Sequence, residues 1–293
     1  MKHLIVLPLA LLAAHFSLAE SQPGRSVFGA KNYVEYIAGD VPLIISAPHG
    51  GRETPEEIPT REEGRVEMDT NTQELARTIA EEFHARTGHR PHLIICQLHR
   101  KKLDGNREIV EAAAGSPVAE KAWAEYHAFI EQALKAAIAK SGKAFYIDLH
   151  GQSHPDRRSE LGYLHSQDTL AKPDAALNAP AIAQAGSFRR IAEKSKLPYV
   201  ELLRGPRSLG ALLEARGFPC TPSPERPVPN LPYFPGGYSV RRHVAADAPV
   251  AGLQIETNLV GLRDSAASRA KFAAALVPAL REFLAEHFAL RLP

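Results

Sequence analysis

The chain has 293 residues, of which 44% are hydrophobic and 23% are charged, and its formal net charge is +2. This composition is typical of a globular enzyme with a substantial core. A net charge this small gives no argument for nucleic acid or an anionic membrane surface as a partner.

The N-terminal 19 residues predict a secretory signal peptide. Residues 1–3 are a short basic start, residues 4–16 are an apolar run, and Ser17-Leu18-Ala19 has the small-x-small pattern that signal peptidase recognises. A membrane span needs roughly 20 apolar residues, so this shorter run favours a signal over a span, and a buried helix is the alternative. We therefore expect cleavage after Ala19 and a periplasmic or secreted mature chain of residues 20–293 without a membrane span.

Strand patterns alternate with helical patterns along the rest of the chain. The strand-like runs, rich in β-branched and aromatic residues, are 33–37, 42–47, 92–98, 144–149, 198–202 and 252–257. Apolar stripes at helical spacing cover residues 75–83, 118–134 and 272–284, with a kink expected at Pro278. This alternation predicts a single α/β domain with a mostly parallel, mixed sheet and helices on both faces.

Two further features leave alternatives open. Residues 217–237 contain seven prolines, which exclude a regular helix or central strand and predict a loop. A loop of this length is interpreted as a wall or lid of a functional site, with a solvated loop as the alternative. Cys96 and Cys220 would pair in an oxidising compartment, but a buried free thiol fits Cys96 equally well.

Two histidines follow strand-like runs at matched positions. His49 follows the run 42–47 and His150 follows the run 144–149, and a glycine comes directly after each histidine. Because the carboxyl ends of strands in an open α/β sheet face the ligand crevice, both imidazoles can converge on one ion. Catalytic zinc sites often combine two histidines with a carboxylate, so the pair predicts a zinc site.

The third ligand is sought among nearby carboxylates. Asp69 opens the helix that follows the His49 segment, where it can hold a metal or cap the helix. Glu53 is closer in sequence but lies in a charged loop. We expect Asp69 to be the ligand, because a helix start at the sheet edge is rigid.

Basic residues cluster after the strand-like run that contains Cys96. A bound anion would offset the electrostatic repulsion between these positive charges. A planar guanidinium recognises a carboxylate through two parallel hydrogen bonds. We therefore assign Asn106 and Arg107 to a substrate carboxylate. Arg100 is assigned to the oxyanion that develops on an attacked carbonyl.

A carboxylate ends the last apolar strand of the pattern. Glu256 is costly to bury without a partner, and beside an activated water it would act as a general base. Arg241, shortly before this strand, is a further candidate for substrate binding.

Together these segments resemble the N-formylglutamate amidohydrolases, which are related to zinc carboxypeptidases and aspartoacylases. The matching features run from residue 42 to residue 258: Pro48-His49-Gly50, Asp69, Arg100 with Asp104-x-Asn106-Arg107, Asp148-x-His150, Gly236-Gly237-Tyr238-x-x-Arg241 and Gln254-Ile255-Glu256. The resemblance implies a zinc-carboxypeptidase-like fold, one zinc ion, Glu256 as base and arginines that bind a substrate carboxylate.

These residues are compatible with three functions. The first is a zinc-dependent hydrolase that cleaves the amide bond of an N-acyl amino acid such as N-formylglutamate. The second is an exported metallo-carboxypeptidase or amidase acting on cell-wall or γ-glutamyl peptides, for which the proline-rich loop would line a longer groove. The third is a periplasmic carboxylate-binding protein without catalytic activity.

Overall fold

The computed structural model describes residues 22–293, so the predicted signal peptide and its cleavage point lie outside the described residues. The strands of the described range are β1 (Ser26–Phe28), β2 (Val34–Ile37), β3 (Leu43–Ala47), β4 (His92–Cys96), β5 (Ala144–Gln152), β6 (Ser159–Gly162), β7 (Cys220–Thr221) and β8 (Val250–Asn258). The α-helices are α1 (Thr72–Thr87), α2 (Ile109–Ala113), α3 (Pro117–Ser141), α4 (Gln167–Leu170), α5 (Asp174–Leu177), α6 (Pro180–Ala185), α7 (Arg189–Ala192), α8 (Tyr199–Arg204), α9 (Leu209–Glu214), α10 (Tyr238–His243) and α11 (Ala266–His287). Within residues 22–293, every helix is too short or too polar to cross a bilayer.

The strands form one mixed sheet in the order β1-β2-β4-β3-β5-β8-β6-β7. Its centre, β4-β3-β5-β8, is parallel, whereas β1, β2 and β6 join through antiparallel pairings. The central strands therefore end at the same edge of the sheet, and their carboxyl ends can bring distant residues together.

Both faces of the sheet are covered by helices. On β3, Ile45 belongs to the apolar layer that contains Phe83 of α1 and Phe283 of α11. Its neighbour Ile44 belongs to the opposite layer, which contains Tyr126 of α3. Because successive side chains of a strand point to opposite faces, a continuous apolar run is what a doubly covered strand requires. The predicted single α/β domain with a mixed sheet and helices on both faces is confirmed.

The expectation of a strand at residues 198–202 was wrong, because this segment forms α8. Tyr199, Val200, Leu202 and Leu203 are all buried, and a short apolar run does not by itself distinguish a strand from a buried helix. The helix begins directly after Pro198, which is its N-cap residue. The sequence did not predict the short strands β1, β6 and β7, because their residues show no clear alternation of apolar and polar side chains.

The two cysteines are buried free thiols. Cys96 belongs to the apolar layer that contains α3, whereas Cys220 belongs to the layer on the other face of the sheet. The sheet therefore separates them, and the disulfide alternative is excluded.

Candidate active site

The two strand-end histidines meet at the carboxyl edge of the parallel strands. His150 is close to the end of β5, and His49 lies two residues beyond β3, the strand next to it. Their ring centroids are 4.8 Å apart, and the two Nδ1 atoms are 3.1 Å apart. The expected convergence of imidazoles from two strand ends is therefore present in the structure.

Asp69 completes this group. Its Oδ2 atom lies 3.3 Å from Nδ1 of His150 and 3.4 Å from Nδ1 of His49. The donor atoms of the three buried residues all lie within 4.8 Å of one another. Asp69 does not cap α1, because Asn71 occupies the N-cap position. The other candidate, Glu53, is exposed and pairs with Leu98 in an isolated bridge.

A buried carboxylate lies behind each imidazole. Oδ1 of Asp104 is 2.6 Å from Nε2 of His49, and Oδ2 of Asp148 is 2.8 Å from Nε2 of His150. Hydrogen bonds of this kind orient a histidine and leave its other nitrogen free to bind a metal. The sequence contained one signal for this role, since Asp148 and His150 are two residues apart on a strand and share a face. The pairing of Asp104 with His49 had no such signal.

The charges within the group are strongly coupled. Burial would raise the pKa of Asp69, but the two imidazoles hold it well below its usual range. Burial would likewise lower the pKa of His150, but Asp148, Asp69 and Glu256 hold it well above its usual range. A cation is therefore favoured at this point, and a metal ion that binds here should displace a proton.

Glu256 faces the same cavity from β8. It is the register partner of His150 across the parallel β5–β8 pair, so both residues reach the same edge. Its Oε1 atom accepts a hydrogen bond of 2.9 Å from Nε2 of Gln254. Burial raises the pKa of Glu256 to about 8, with the charge of His150 opposing this shift. A buried glutamate with a pKa in this range can take up and release a proton near neutral pH.

All the predicted site residues line one cavity of about 250 Å³. We call His49, Asp69 and His150 the metal-type group. The cavity is lined by this group, Glu256, four arginines and part of the proline-rich loop: His49, Arg65, Asp69, Arg100, Asn106, Arg107, His150, Gly151, Phe234, Pro235, Gly236, Gly237, Arg241, Gln254 and Glu256. Sequence reasoning missed Arg65, which lies in an irregular segment and stacks over the Phe234 ring at 4.8 Å.

Protein contacts hold two of the predicted residues firmly: Arg100, assigned to the oxyanion, and Asn106, assigned to the substrate carboxylate. Nε of Arg100 donates to Asp104 at 2.9 Å, and its Nη1 lies 3.5 Å from Oδ1 of Asp69. Oδ1 of Asn106 accepts a hydrogen bond of 2.8 Å from the backbone of Ser239. These two side chains are part of the rigid lining.

Two further arginines that are predicted to bind substrate, Arg107 and Arg241, lie nearer the solvent. Nε of Arg107 donates to Glu111 at 2.9 Å on the protein surface, and Arg241 is exposed with one contact of 3.5 Å to the Gly236 carbonyl. Both guanidinium groups therefore keep donors that can be offered to an anionic ligand in the cavity.

The proline-rich loop contributes a fixed wall. The backbone N–H of Phe234 donates to Oε2 of the buried Glu160 at 2.9 Å. Arg158 donates to the same glutamate at 3.2 Å and to the carbonyl of Asn230 at 2.7 Å. His154 stacks beneath Phe234 with ring centroids 5.3 Å apart. These contacts tie the loop to β6, which favours the interpretation as a wall over that of a lid.

Several solved structures are similar to this chain. An N-formylglutamate amidohydrolase of Ralstonia eutropha JMP134 superposes with a TM-score of 0.51 at 15% identity, over 91% of this chain and 99% of that one. A gene product of Agrobacterium tumefaciens superposes with a TM-score of 0.48 at 16% identity, over 88% and 94% of the two chains. A candidate metallopeptidase of Shewanella baltica OS155 superposes with a TM-score of 0.44 at 14% identity, over 90% and 86%.

The chain has the N-formylglutamate amidohydrolase fold. The resemblance inferred from the motifs is thereby confirmed at the level of architecture. No protein-family model matches the sequence, and no curated protein matches it.

The donor set within this fold fits a divalent metal ion. Two imidazole nitrogens and one carboxylate oxygen converge, and the far nitrogen of each ring is held by a carboxylate. Two histidines and one carboxylate are a common ligand set of catalytic metal sites, which keep a further position open. His49, Asp69 and His150 are therefore the residues that would hold the ion, and Glu256 shares their cavity.

Proposed function

We propose that this protein is a zinc-dependent amidohydrolase that cleaves the amide bond of an N-acyl amino acid, with N-formylglutamate as the type substrate. One observation carries the proposal: the metal-type group, a buried glutamate and four arginines line the same small cavity. When bound, the ion supplies Lewis acidity, which activates water and polarises the substrate carbonyl.

Glu256 is the proton carrier of the proposed reaction. A proton is taken up at its carboxylate from the attacking water and is then delivered to the nitrogen of the leaving amine. The burial of Glu256 keeps bulk water from competing for this proton, and Gln254 holds one oxygen of the carboxylate.

Arginines bind and polarise the substrate. Arg107 and Arg241 offer guanidinium donors to the substrate carboxylate. Arg100 is held by Asp104 and lies beside Asp69, where its positive charge can offset the negative charge that develops on the attacked carbonyl oxygen.

The size of the cavity favours a small substrate. At about 250 Å³ it is smaller than the typical drug-sized pocket of roughly 300–1,000 Å³. This favours an N-acyl amino acid over the cell-wall or γ-glutamyl peptides of the second function, which need an extended groove. The wall formed by Phe234 and its neighbours closes one side of this space.

The test compares substrates and preparations of the same protein. Zinc-loaded and chelator-treated protein is assayed against N-formylglutamate, N-acetylglutamate and short γ-glutamyl peptides. We expect activity that needs the metal and is highest with an N-acyl amino acid. Preference for the peptides would favour the second function, and absence of turnover with every compound would refute the hydrolase.

The Glu256→Gln variant separates a hydrolase from a carboxylate-binding protein. A hydrolase should retain about one zinc per chain and lose turnover by roughly 10²–10⁴-fold, the usual contribution of general acid–base catalysis. A carboxylate-binding protein would bind its ligand with the same affinity in the wild type and in Glu256→Gln, and neither protein would show turnover.

Export is proposed from the N-terminal sequence pattern alone. Mass spectrometry of the protein recovered from the producing cells should find Glu20 as the first residue, after cleavage behind Ala19. A recovered chain that still begins at Met1 would contradict export.

A further inference from the structure

Behind the metal-type group lies a buried cation that the proposed reaction does not use. Arg263 is 1% exposed and is among the largest fully buried side chains. Burial lowers the pKa of Arg263, and the charges of Asp69 and Glu256 oppose this shift. Burying a charge is costly unless hydrogen bonds and opposite charges offset the loss of water.

The guanidinium of Arg263 donates to three backbone carbonyls from three separate segments. Its Nε donates to Thr257 at 3.1 Å and its Nη2 donates to Gln152 at 2.9 Å. Its Nη1 donates to Thr70. The planar fork of an arginine offers donors in fixed directions, which a lysine cannot reproduce.

Each of these carbonyls is next to, or two residues from, a residue of the site. Thr70 follows Asp69, Gln152 is two residues beyond His150, and Thr257 follows Glu256. One side chain therefore joins the segment before α1 to the ends of β5 and β8.

Two further contacts fix this arrangement. The carbonyl of Arg263 accepts a hydrogen bond of 2.9 Å from Nδ2 of Asn71, at the start of α1. At Gly151, which lies between His150 and Gln152, an added Cβ would overlap the guanidinium carbon of Arg263. The glycine lets the backbone pass directly over the guanidinium, and a larger residue would push the two apart.

We propose that Arg263 is a positioning residue that holds Asp69, His150 and Glu256 in register for metal binding, acting through their backbones without contacting the ion. This inference rests on the proposed metal-dependent function. Metal sites need ligand geometry held within about 0.5 Å, so loss of the tie between segments should weaken the site even when the chain folds.

The test measures zinc affinity of the metal-stripped full chain by competition with a chelator. We expect Arg263→Met to weaken zinc binding at least about tenfold, the lower end of the effect of changing a supporting residue at a metal site. Circular dichroism and thermal unfolding of the same preparations report whether each variant is folded.

Arg189→Met is the matched control. Arg189 is also buried and also donates to backbone carbonyls, those of Gly186 and Val244, but neither of these residues is within two positions of a residue that lines the cavity. Both substitutions should lower the free energy of unfolding, whereas only Arg263→Met should weaken zinc binding. Equal zinc affinities in the two variants would overturn the proposal.

Two milder variants serve if Arg263→Met does not fold. Arg263→Lys keeps the cation without the planar fork, and Arg263→Gln keeps hydrogen-bond donors without the cation. Weakened zinc binding in both supports the proposal, and wild-type affinity in either one overturns it. A wild-type chain that binds no zinc would refute the proposed function itself. Equal zinc affinity in the wild type and the variants would refute only the positioning role of Arg263.

Discussion

Oδ2 of Asp148 lies 2.8 Å from Nε2 of His150, on the side of the ring opposite the Nδ1 atom that faces Asp69. Asp148 is fully buried, and its Oδ1 accepts a hydrogen bond of 2.8 Å from Ser46. A ring held in this way donates from Nε2, so that when Nδ1 gives up its proton to a binding metal ion, the Nδ1 lone pair is directed toward the site. The aspartate therefore selects the tautomer that a metal ligand needs.

Replacing Asp148 by asparagine should weaken zinc binding by about 10–100-fold, because the amide lacks the negative charge that favours this tautomer. Chelator competition on the purified chain measures the change. Asp40→Asn is the matched control, since Asp40 also pairs with a histidine, His89, at 2.6 Å but near the surface. Zinc affinity that falls equally in both variants would remove the specific role of Asp148.

Replacing either site histidine should empty the metal site. We expect His49→Ala and His150→Ala each to reduce zinc content well below one ion per chain, because only two of the three donors remain. Metal analysis after dialysis gives the stoichiometry, and His89→Ala should leave it unchanged. Unchanged zinc content in both site variants would refute the assignment of these ligands.

Arg107→Lys should raise KM for carboxylate substrates by about tenfold, since lysine cannot make the bidentate contact and a hydrogen bond to a charged group contributes roughly 1.5–3 kcal/mol. Steady-state kinetics with N-formylglutamate measure the effect. Arg226→Lys changes a surface arginine paired with Glu214 and should leave KM unchanged. Equal KM values in Arg107→Lys and the parent would exclude this role.

The stability of metal-stripped protein should depend on pH through Glu256. Burial raises its pKa from the ordinary 4.5 to about 8, so the folded chain holds this proton more tightly than the unfolded chain. The stabilising contribution is complete below about pH 4.5 and is lost as the pH rises through about 8. Comparison with Glu256→Gln gives the net contribution of Glu256, which includes its effect on the pKa of His150.

The measurement is the free energy of unfolding by denaturant at several pH values from about 5 to about 9. The wild-type chain should lose stability relative to Glu256→Gln as the pH rises. Parallel curves for the two proteins would show that Glu256 titrates alike in the folded and unfolded chains.

Much of the site was predictable because its residues follow regular local patterns. His49 and His150 come after apolar strands, and parallel strands end at a common edge whatever their order in the sheet. Glu256 was found by the same rule. The segment 198–202 shows where such reasoning fails, since its buried residues Tyr199, Val200 and Leu202 are compatible with a helix or a strand.

The residue pattern alone predicts the alternation of strands and helices, the edge of the sheet that carries the site and the residues with metal-binding chemistry. It does so because periodicity of apolar residues reflects which face of each element is buried. Three features are visible only in the folded chain: Asp69 rather than Glu53 joins the histidines, Asp104 supports His49, and Arg263 connects three segments. These contacts join residues distant in the chain, and the strand order and the path of irregular segments bring them together without leaving a local pattern.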